Sequence, residues 1–230
     1  MTRTWSTVLI AAVVAASLGA CGRASRTMAP ENTAPVPTSP GLAVRALEWA
    51  FVNRDVEVLA ELLTEDMLFG TAGLDSAGNP SRVEKDRAWL LACAENMFNG
   101  SAEHPPASSI TLAFDRNFVA LPDTRPGFQV DSLFKTIRTS LDFKVNIGEG
   151  DIFEVSGYAQ FYLVRGDIAA IPRDLIDRGF VKDRNRWWIS RWEDETVEGP
   201  GAPGASAHPT KMATFGSILE LYSLRERRQR

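Results

Sequence analysis

Two stretches limit most strongly what this chain can fold into: DSLFKTIRTSLDFKVNI, residues 131–147, and IFEVSGYAQFYLVRG, residues 152–166. Both repeat with a period of two. In the first, Leu133, Ile137, Leu141, Phe143, Val145 and Ile147 share one side, with Lys135 and Thr139 interrupting them. Ser132, Arg138, Asp142, Lys144 and Asn146 take the other side. In the second, Phe153, Val155, Ala159, Phe161 and Leu163 oppose Glu154, Ser156, Tyr158, Gln160 and Tyr162. Strict alternation over this length specifies strands with one buried face. The GEGD run between them specifies a turn, so the two form a long antiparallel pair. Gly157, in mid-strand, predicts a bulge or sharp bend.

A sheet with one apolar face needs a cover. The preceding sequence supplies it. In SPGLAVRALEWAFVNRDVEVLAELLTEDMLF, Leu42, Leu47, Ala50 and Phe51 fall near helical spacing, and Ser39 or Gly41 starts the turn. Asp55 is suited to cap a second, shorter helix through Leu63. Thr64, Glu65 and Asp66 then read as a turn, MLFGTA as a short strand and GLDSAGNPS as a loop. RVEKDRAWLLACAENMFNG reads as a third helix with Trp89, Leu90, Cys93, Met97 and Phe98 on one side and Asn99-Gly100 at its end. A strand SSITLAFDRNFVAL follows it. AIPRDLIDRGFVKDRN reads as an insertion with a helical turn, and RWWISRWEDETV as the last strand. Alternation there sets Trp188, Ser190 and Trp192 against Trp187, Ile189 and Arg191. Beyond it, ATFGSILELY has the texture of a docked helix.

Helices followed by long antiparallel strands specify the α+β class. The opening LEWAFVNRDVEVLAELLTEDMLF, the paired strands LFKTIRTSLDFKV and YAQFYLVRG, and the closing RWWISRWEDE resemble the NTF2-like superfamily over roughly Leu42 to Glu195. The resemblance implies a cone-shaped roll, N-terminal helices packed on a curved antiparallel sheet, with a pocket between them. Enzymes with that roll, such as ketosteroid isomerases, limonene epoxide hydrolases and polyketide cyclases, need a carboxylate base inside an apolar cone. By alternation the inward faces of the two long strands offer only Lys135 and Thr139. Asp142, Arg138, Glu154 and Tyr158 face outward. A one-residue bulge at Gly157 would turn Asp142 and Tyr158 inward as an acid/base pair.

The N-terminus, MTRTWSTVLIAAVVAASLGACG, has a basic start, an apolar middle and a small-residue exit. That is the order of a secretory signal, and the apolar run is shorter than the ~18 to 20 residues of a spanning helix. Leu18-Gly19-Ala20-Cys21 resembles the bacterial lipobox. The resemblance implies that Cys21 is acylated on its sulfur and becomes the first residue of the mature chain. Gly22 stands where an inner-membrane retention signal would have Asp, which favours the periplasmic face of the outer membrane in a cell with two membranes. Residues 1–20 are thus expected to be a lipoprotein signal, 21–41 a Pro-, Ser- and Thr-rich disordered tether, 42–195 the domain, and 196–230 a linker with a C-terminal helix and tail.

A formal charge of -4 implies no polyanionic partner, so no nucleic acid is expected. With Cys21 acylated, Cys93 has no partner for a disulfide, and it reads as a small core residue. His104 and His208 lie far apart in Pro-containing loops, and no ligand spacing suggests a metal. There is no Gly-rich phosphate loop or exposed-serine elbow, so no cofactor is expected. The leading expectation is a non-catalytic, membrane-tethered domain that binds a small apolar ligand or an envelope protein. Its expected contact residues are Tyr158, Tyr162, Trp188 and Trp192. The alternatives are an isomerase or hydrolase using a pocket carboxylate, and a scaffold whose cone is filled by its own side chains.

Overall fold

The computed structural model describes residues 33–74, 80–102, 104–147, 151–198 and 214–223. The N-terminal cover is built first. Helix α1, Pro40–Asn53, starts at Ser39, whose Oγ accepts from the Leu42 amide at 3.2 Å, with Pro40 in the first turn. It buries Ala43, Val44, Ala46, Leu47, Ala50 and Phe51, one contiguous stripe at helical spacing. Arg54, in the left-handed region at φ 58°, closes it. Asp55 caps α2, Val56–Ala60, by accepting from the Val58 amide at 2.9 Å.

The next segment differs from its sequence reading. Strand β1, Leu63–Leu74, already includes Thr64, Glu65 and Asp66, whose residue types read as a turn. It pairs with β2, Pro80–Asp86, through registers such as Phe69↔Lys85 and Thr71↔Val83. The RVEKD run therefore belongs to a strand and not to the third helix. Arg, Glu and Lys are good helix formers, but propensity is a weak prior and cross-strand pairing overrides it here. Asp86 also blocks backward growth of the helix: its carboxylate accepts from the Trp89 amide at 2.8 Å, so α3 spans only Arg87–Asn99.

The remaining strands are β3 (Ser109–Phe114), β4 (Leu121–Pro122), β5 (Phe134–Ile147), β6 (Asp151–Arg165) and β7 (Trp187–Glu198). Helix α4, Arg173–Asp177, lies in the insertion before β7, and α5, Phe215–Leu221, follows it. Among the described residues, seven strands form one curved sheet in the order β2-β1-β7-β6-β5-β3, with β4 also on β5. The fold is α+β, with α1, α2, α3 and α5 contributing to the main core against the sheet and α4 to a second cluster. The sheet is mixed and not wholly antiparallel, because β1 runs parallel to β7.

Alternation on β5 and β6 decides the core as expected. Ile137, Thr139, Leu141, Phe143 and Val145 are buried, as are Val155, Ala159, Phe161 and Leu163. Thr139 keeps its hydroxyl satisfied by accepting from the Asp115 amide at 3.1 Å. Lys135 reaches out to Asp131 at 2.6 Å.

Two details reverse the expected local geometry. Pairing runs unbroken through Gly157, from Leu141 on one side to Thr196 on the other, so no bulge forms there. Glycine serves a different need: its φ is 152°, and a Cβ would lie 2.6 Å from the Glu195 carbonyl oxygen and 2.8 Å from Thr196 Cα. The irregularity falls instead on β7, where Tyr162↔Arg191 is followed by Leu163↔Ile189 and Ser190 is the extra residue. That slip puts Ile189 and Trp192 in the main core and sends Trp188 to a second cluster with Val164, Ala169 and Leu175. Trp188 and Trp192 therefore do not share a face.

Candidate functional site

The concave side of the sheet gathers aromatic residues that are distant in sequence: Phe51 from α1, Phe69 from β1, Phe143 from β5, Phe161 from β6 and Trp192 from β7. Phe215, the first residue of α5, is the common neighbour of all of these but Phe161. Its ring centroid lies 4.7 Å from that of Trp192, 4.8 Å from Phe143, 5.6 Å from Phe51 and 6.2 Å from Phe69. These spacings are those of edge-on and tilted aromatic pairs. Full burial of Phe215 contributes roughly 1.5–3 kcal/mol relative to an exposed ring. The core between the helices and the curved sheet is thus filled at this point by a side chain from the C-terminal segment.

Beside the aromatic box lies a carboxylate, Asp194, two residues after Trp192 on β7 and 7% exposed. Its Oδ2 accepts from Thr71 Oγ1 and from the Gly216 amide, both at 2.8 Å. Its Oδ1 accepts from the Thr196 amide at 3.0 Å and Thr196 Oγ1 at 2.6 Å. Thr196 Oγ1 in turn accepts from the Phe215 amide at 2.7 Å. Thr214 Oγ1 lies 3.3 Å from Thr71 Oγ1 and caps α5 by accepting from the Ser217 amide at 3.0 Å. A buried carboxylate is costly without donors, and Asp194 has four, one for each lone-pair direction. In this arrangement no lone pair is free for a substrate proton.

Alternation along RWEDETV carries the signal that finds this residue. Asp194 and Thr196 lie on the same side as Trp192, and the count simply continues past the tryptophan. Phe215, Thr71 and Thr214 had no such signal, because only the tertiary contact joins them.

The expected acid/base pair lies elsewhere. Asp142 is exposed on the outer side of β5, cross-strand from Ser156. Tyr158 is 47% exposed on the outer side of β6, with the Arg138 guanidinium 3.9 Å from its ring centroid. Arg138 also donates to Glu195 Oε2 at 2.7 Å. The bulge that would have turned Asp142 and Tyr158 inward is absent at Gly157. Glu154 is outward too, 3.6 Å from Lys144.

Of the four expected contact residues, Tyr158 and Tyr162 share the outer face. Tyr162 is half-buried under Arg125, whose guanidinium sits 3.8 Å from its ring centroid and is held by buried Asp123 at 2.7 Å. Its hydroxyl accepts from Gln160 Nε2 at 3.0 Å. Trp188 and Trp192 are enclosed, at 1% and 0% exposure, so neither side chain is offered to a partner's surface in this state. Cys21 lies outside the described residues.

Further along the outer face, Arg82, Glu84, Arg191 and Glu193 form an ion-pair chain across β2, β1 and β7. The hydrogen bond from Arg191 holds the Glu84 carboxyl below the usual carboxylate range. Cys93 is wholly buried on α3, and burial pushes its thiol up to about 12, which makes it inert as a nucleophile. A half-open groove of about 160 Å³ lies between Pro35–Pro37 and Val58, Leu62 and Arg186. Among the described residues no group of His, Cys, Asp and Glu has the arrangement of a metal site, and no helix is long and apolar enough to cross a membrane.

No protein-family model matches the chain, and no curated protein does. Solved structures of similar shape exist. A conserved protein from Planctomyces limnophilus is 20% identical at a TM-score of 0.45, covering 69% of this chain and 97% of its own. An NTF2-like superfamily protein from Salmonella enterica serovar Typhimurium is 14% identical at 0.40, covering 73% and 92%. An NTF2-like protein of unknown function in nutrient uptake from Rhodospirillum rubrum is 13% identical at 0.40, covering 67% and 95%. The second and third of these neighbours bear the superfamily name that the sequence resembles, and nothing about this chain's chemistry rests on any of the three.

Proposed function

We propose that this chain is a lipid-anchored, non-catalytic NTF2-like domain of the bacterial cell envelope that acts by binding an envelope protein. The observation that carries the non-catalytic reading is the saturation of Asp194. Among the described residues it is the carboxylate on the concave side, and its four acceptor positions are taken by Thr71, Gly216 and Thr196. A general base needs a free lone pair within reach of the substrate proton. The aromatic interior beside it is occupied by Phe215. Between a small apolar ligand inside and a protein partner outside, the occupied interior favours the partner. Tyr158 and Tyr162, each stacked with an arginine, form the contact surface on the outer face, and Tyr and Arg are the residue types that dominate binding hot spots. The signal-like N-terminus and the Leu-Gly-Ala-Cys motif support attachment through acylated Cys21, facing the periplasm from the outer membrane in a two-membrane cell.

Three measurements test this reading. Wild type should incorporate labelled palmitate and pellet with membranes, whereas Cys21→Ser should do neither. A Ser variant that stays with membranes, beside a wild type that takes no label, would remove the tether. A photo-crosslinking amino acid at position 158 should give one discrete adduct in cells, against none at Val181 in the insertion. Failure to form it would remove the outer-face partner. The rival reading, a ketosteroid-isomerase-like enzyme, requires turnover of an unconjugated ketosteroid that disappears in Asp194→Asn. That result would overturn the non-catalytic reading.

A further inference from the structure

The segment before α1 meets the domain at the foot of the insertion between β6 and β7. The Pro37 carbonyl accepts from the Trp187 amide at 2.8 Å. Pro35–Pro37 border a groove with Glu61, Leu62 and Arg186, the last residue of that insertion. Arg186 donates from Nη2 to the Glu61 carbonyl at 2.6 Å, and Arg178, also in the insertion, pairs with the Glu61 carboxylate at 2.8 Å. The backbone toward Cys21 therefore leaves the domain beside residues 166–186.

The insertion closes the second cluster, in which Val164, Ala169, Leu175 and Trp188 pack with Phe134 and Phe180. Its other side carries apolar residues that the domain leaves uncovered: Val181 at 74% exposure, Ile176 at 53% and Ile168 at 41%. Val36, at the exit of the N-terminal segment, is exposed as well. So are Phe128 and Val130, in the loop that the Phe128–Phe134 ring contact ties to the same cluster at 5.1 Å. Half of the twelve exposed large apolar side chains among the described residues thus come from three short segments. Single exposed apolar residues are ordinary, but a group gathered round one small core marks a contact surface. Residues 165–186 also carry six Arg or Lys against four Asp, a net of +2 in a chain of -4. Asp167 and Asp174 are engaged by Arg165 and Arg87, whereas Arg173, Lys182 and Arg184 stand exposed.

The length of chain back to Cys21 decides which occupant fits. Ala34 comes thirteen residues after Cys21, and a stretch of that length spans at most about 45 Å when fully extended. The opposite end of the long strands, at the Lys144↔Glu154 pair, lies ten residues along β5 from Phe134, or about 33 Å at the usual rise of a strand. With that end on a bilayer, the exit at Ala34 would stand roughly a strand length above it. The linker would then work near its limit, where the effective concentration of a linked surface falls away. With the insertion on the bilayer, the linker has only a short gap to cross. The composition of the insertion suits the same orientation. Apolar tips bury at the boundary of headgroup and acyl chain, and Lys and Arg stems lie along them with their charges at the phosphates.

We propose that the outer side of the 166–186 insertion, with the 126–130 loop, lies against the bilayer surface and fixes the orientation of the domain there. The occupant is the phospholipid interface, with Arg173, Lys182 and Arg184 facing its phosphates. The inference rests on the acylated Cys21 of the proposed function and goes beyond it, because a tether alone sets no orientation. Tyr158, further along β6, stays open to a protein partner.

The test uses the full-length acylated chain in vesicles of phosphatidylethanolamine with a minority of phosphatidylglycerol. An environment-sensitive fluorophore is attached to Val181→Cys or, at the far end of the sheet, to Lys144→Cys. Cys93 is wholly buried and takes no label. A lipid carrying a nitroxide at headgroup depth should remove most of the emission from position 181 and leave position 144 unchanged. Adding Ile176→Asp, an exposed change that leaves the fold intact, should cut the quenching at 181 by about twofold or more, because a charge replaces an apolar tip at the interface. Equal quenching at the two positions, or quenching at 181 that Ile176→Asp does not alter, overturns the contact. The tether survives that result, because labelled palmitate reports it separately. A label at 181 that shifts to the blue without being quenched assigns the surface to a protein and overturns the contact as well. A chain that takes no palmitate removes the tether and this inference together.

Discussion

The Gly216 amide donates to Asp194 Oδ2 over 2.8 Å, joining positions 22 residues apart. That bond couples the last strand of the sheet to the helix that follows it. It also explains why a carboxylate is stable beside an aromatic core: a charged acceptor buried with several donors is held by strong, charge-assisted hydrogen bonds.

Asp194 accepts from four donors, two on each oxygen, so its replacement disturbs several hydrogen bonds at once. In Asp194→Asn an amide NH2 takes the place of one oxygen and faces donors. Stability should fall by about 2–4 kcal/mol. Asp142→Asn, on the exposed outer side of β5, should change it by less than about 0.5 kcal/mol. Denaturant titrations of the two variants check the contrast, and equal effects would mean that Asp194 is not the buried anchor described.

Gly216→Ala introduces a methyl group where the Thr71 side chain already stands. Overpacking of this kind costs about 1–3 kcal/mol where the neighbours are fixed. Here the crowding comes from one side chain on β1, so the expected response is displacement of α5 from it, read as faster exchange at Ile218 and Leu219 with β5 still protected.

Gly157→Ala tests the crossing of β6 and β7. The new Cβ meets backbone at 2.6 and 2.8 Å, which cannot move like a side-chain tip, and φ 152° disfavours any L-residue. A loss of about 2 kcal/mol or more is expected from combined strain and crowding. A thermal melt within 1 °C of wild type, a shift worth only a few tenths of a kcal/mol, would contradict this.

Alkaline pH should weaken the fold. Burial pushes the Cys93 thiol from 9.0 to about 12 and raises the Tyr222 phenol as well. A group with a raised folded pKa keeps its proton longer when folded. The unfolded chain therefore binds fewer protons as pH rises, and stability declines. The contribution is complete below the unfolded pKa and is lost as pH climbs through the folded one. For Cys93 the loss runs from pH 9.0 to about 12, at about 1.4 kcal/mol per pH unit. Cys93→Ala should flatten the slope of unfolding free energy against pH just above 9.0, whatever its effect at neutral pH.

Much of this architecture is a local property and was legible in the residues. The period-two pattern of 131–147 and 152–166 settled which faces of β5 and β6 are buried, because side chains on a strand must alternate. Ser39, Asp55 and Gly100 marked helix ends because capping is satisfied within a few residues. The same locality explains the failures. The RVEKD run has helical propensity, and only its pairing with β1 makes it a strand. The extra residue at Ser190, which separates Trp188 from Trp192, depends on how β7 meets β6.

The candidate site lies on the far side of that divide. The sequence by itself determined an α+β chain with an apolar inner face on its two long strands, since alternation needs no knowledge of the partner. Only the tertiary structure decided what sits against that face. Thr71 and Asp194 are 123 positions apart, and Phe215 reaches the aromatic box from a helix outside the sheet. Hydrogen bonds and ring contacts act over a few ångströms in space whatever the separation along the chain, so the identity of the filler is written in the packing and not in the period.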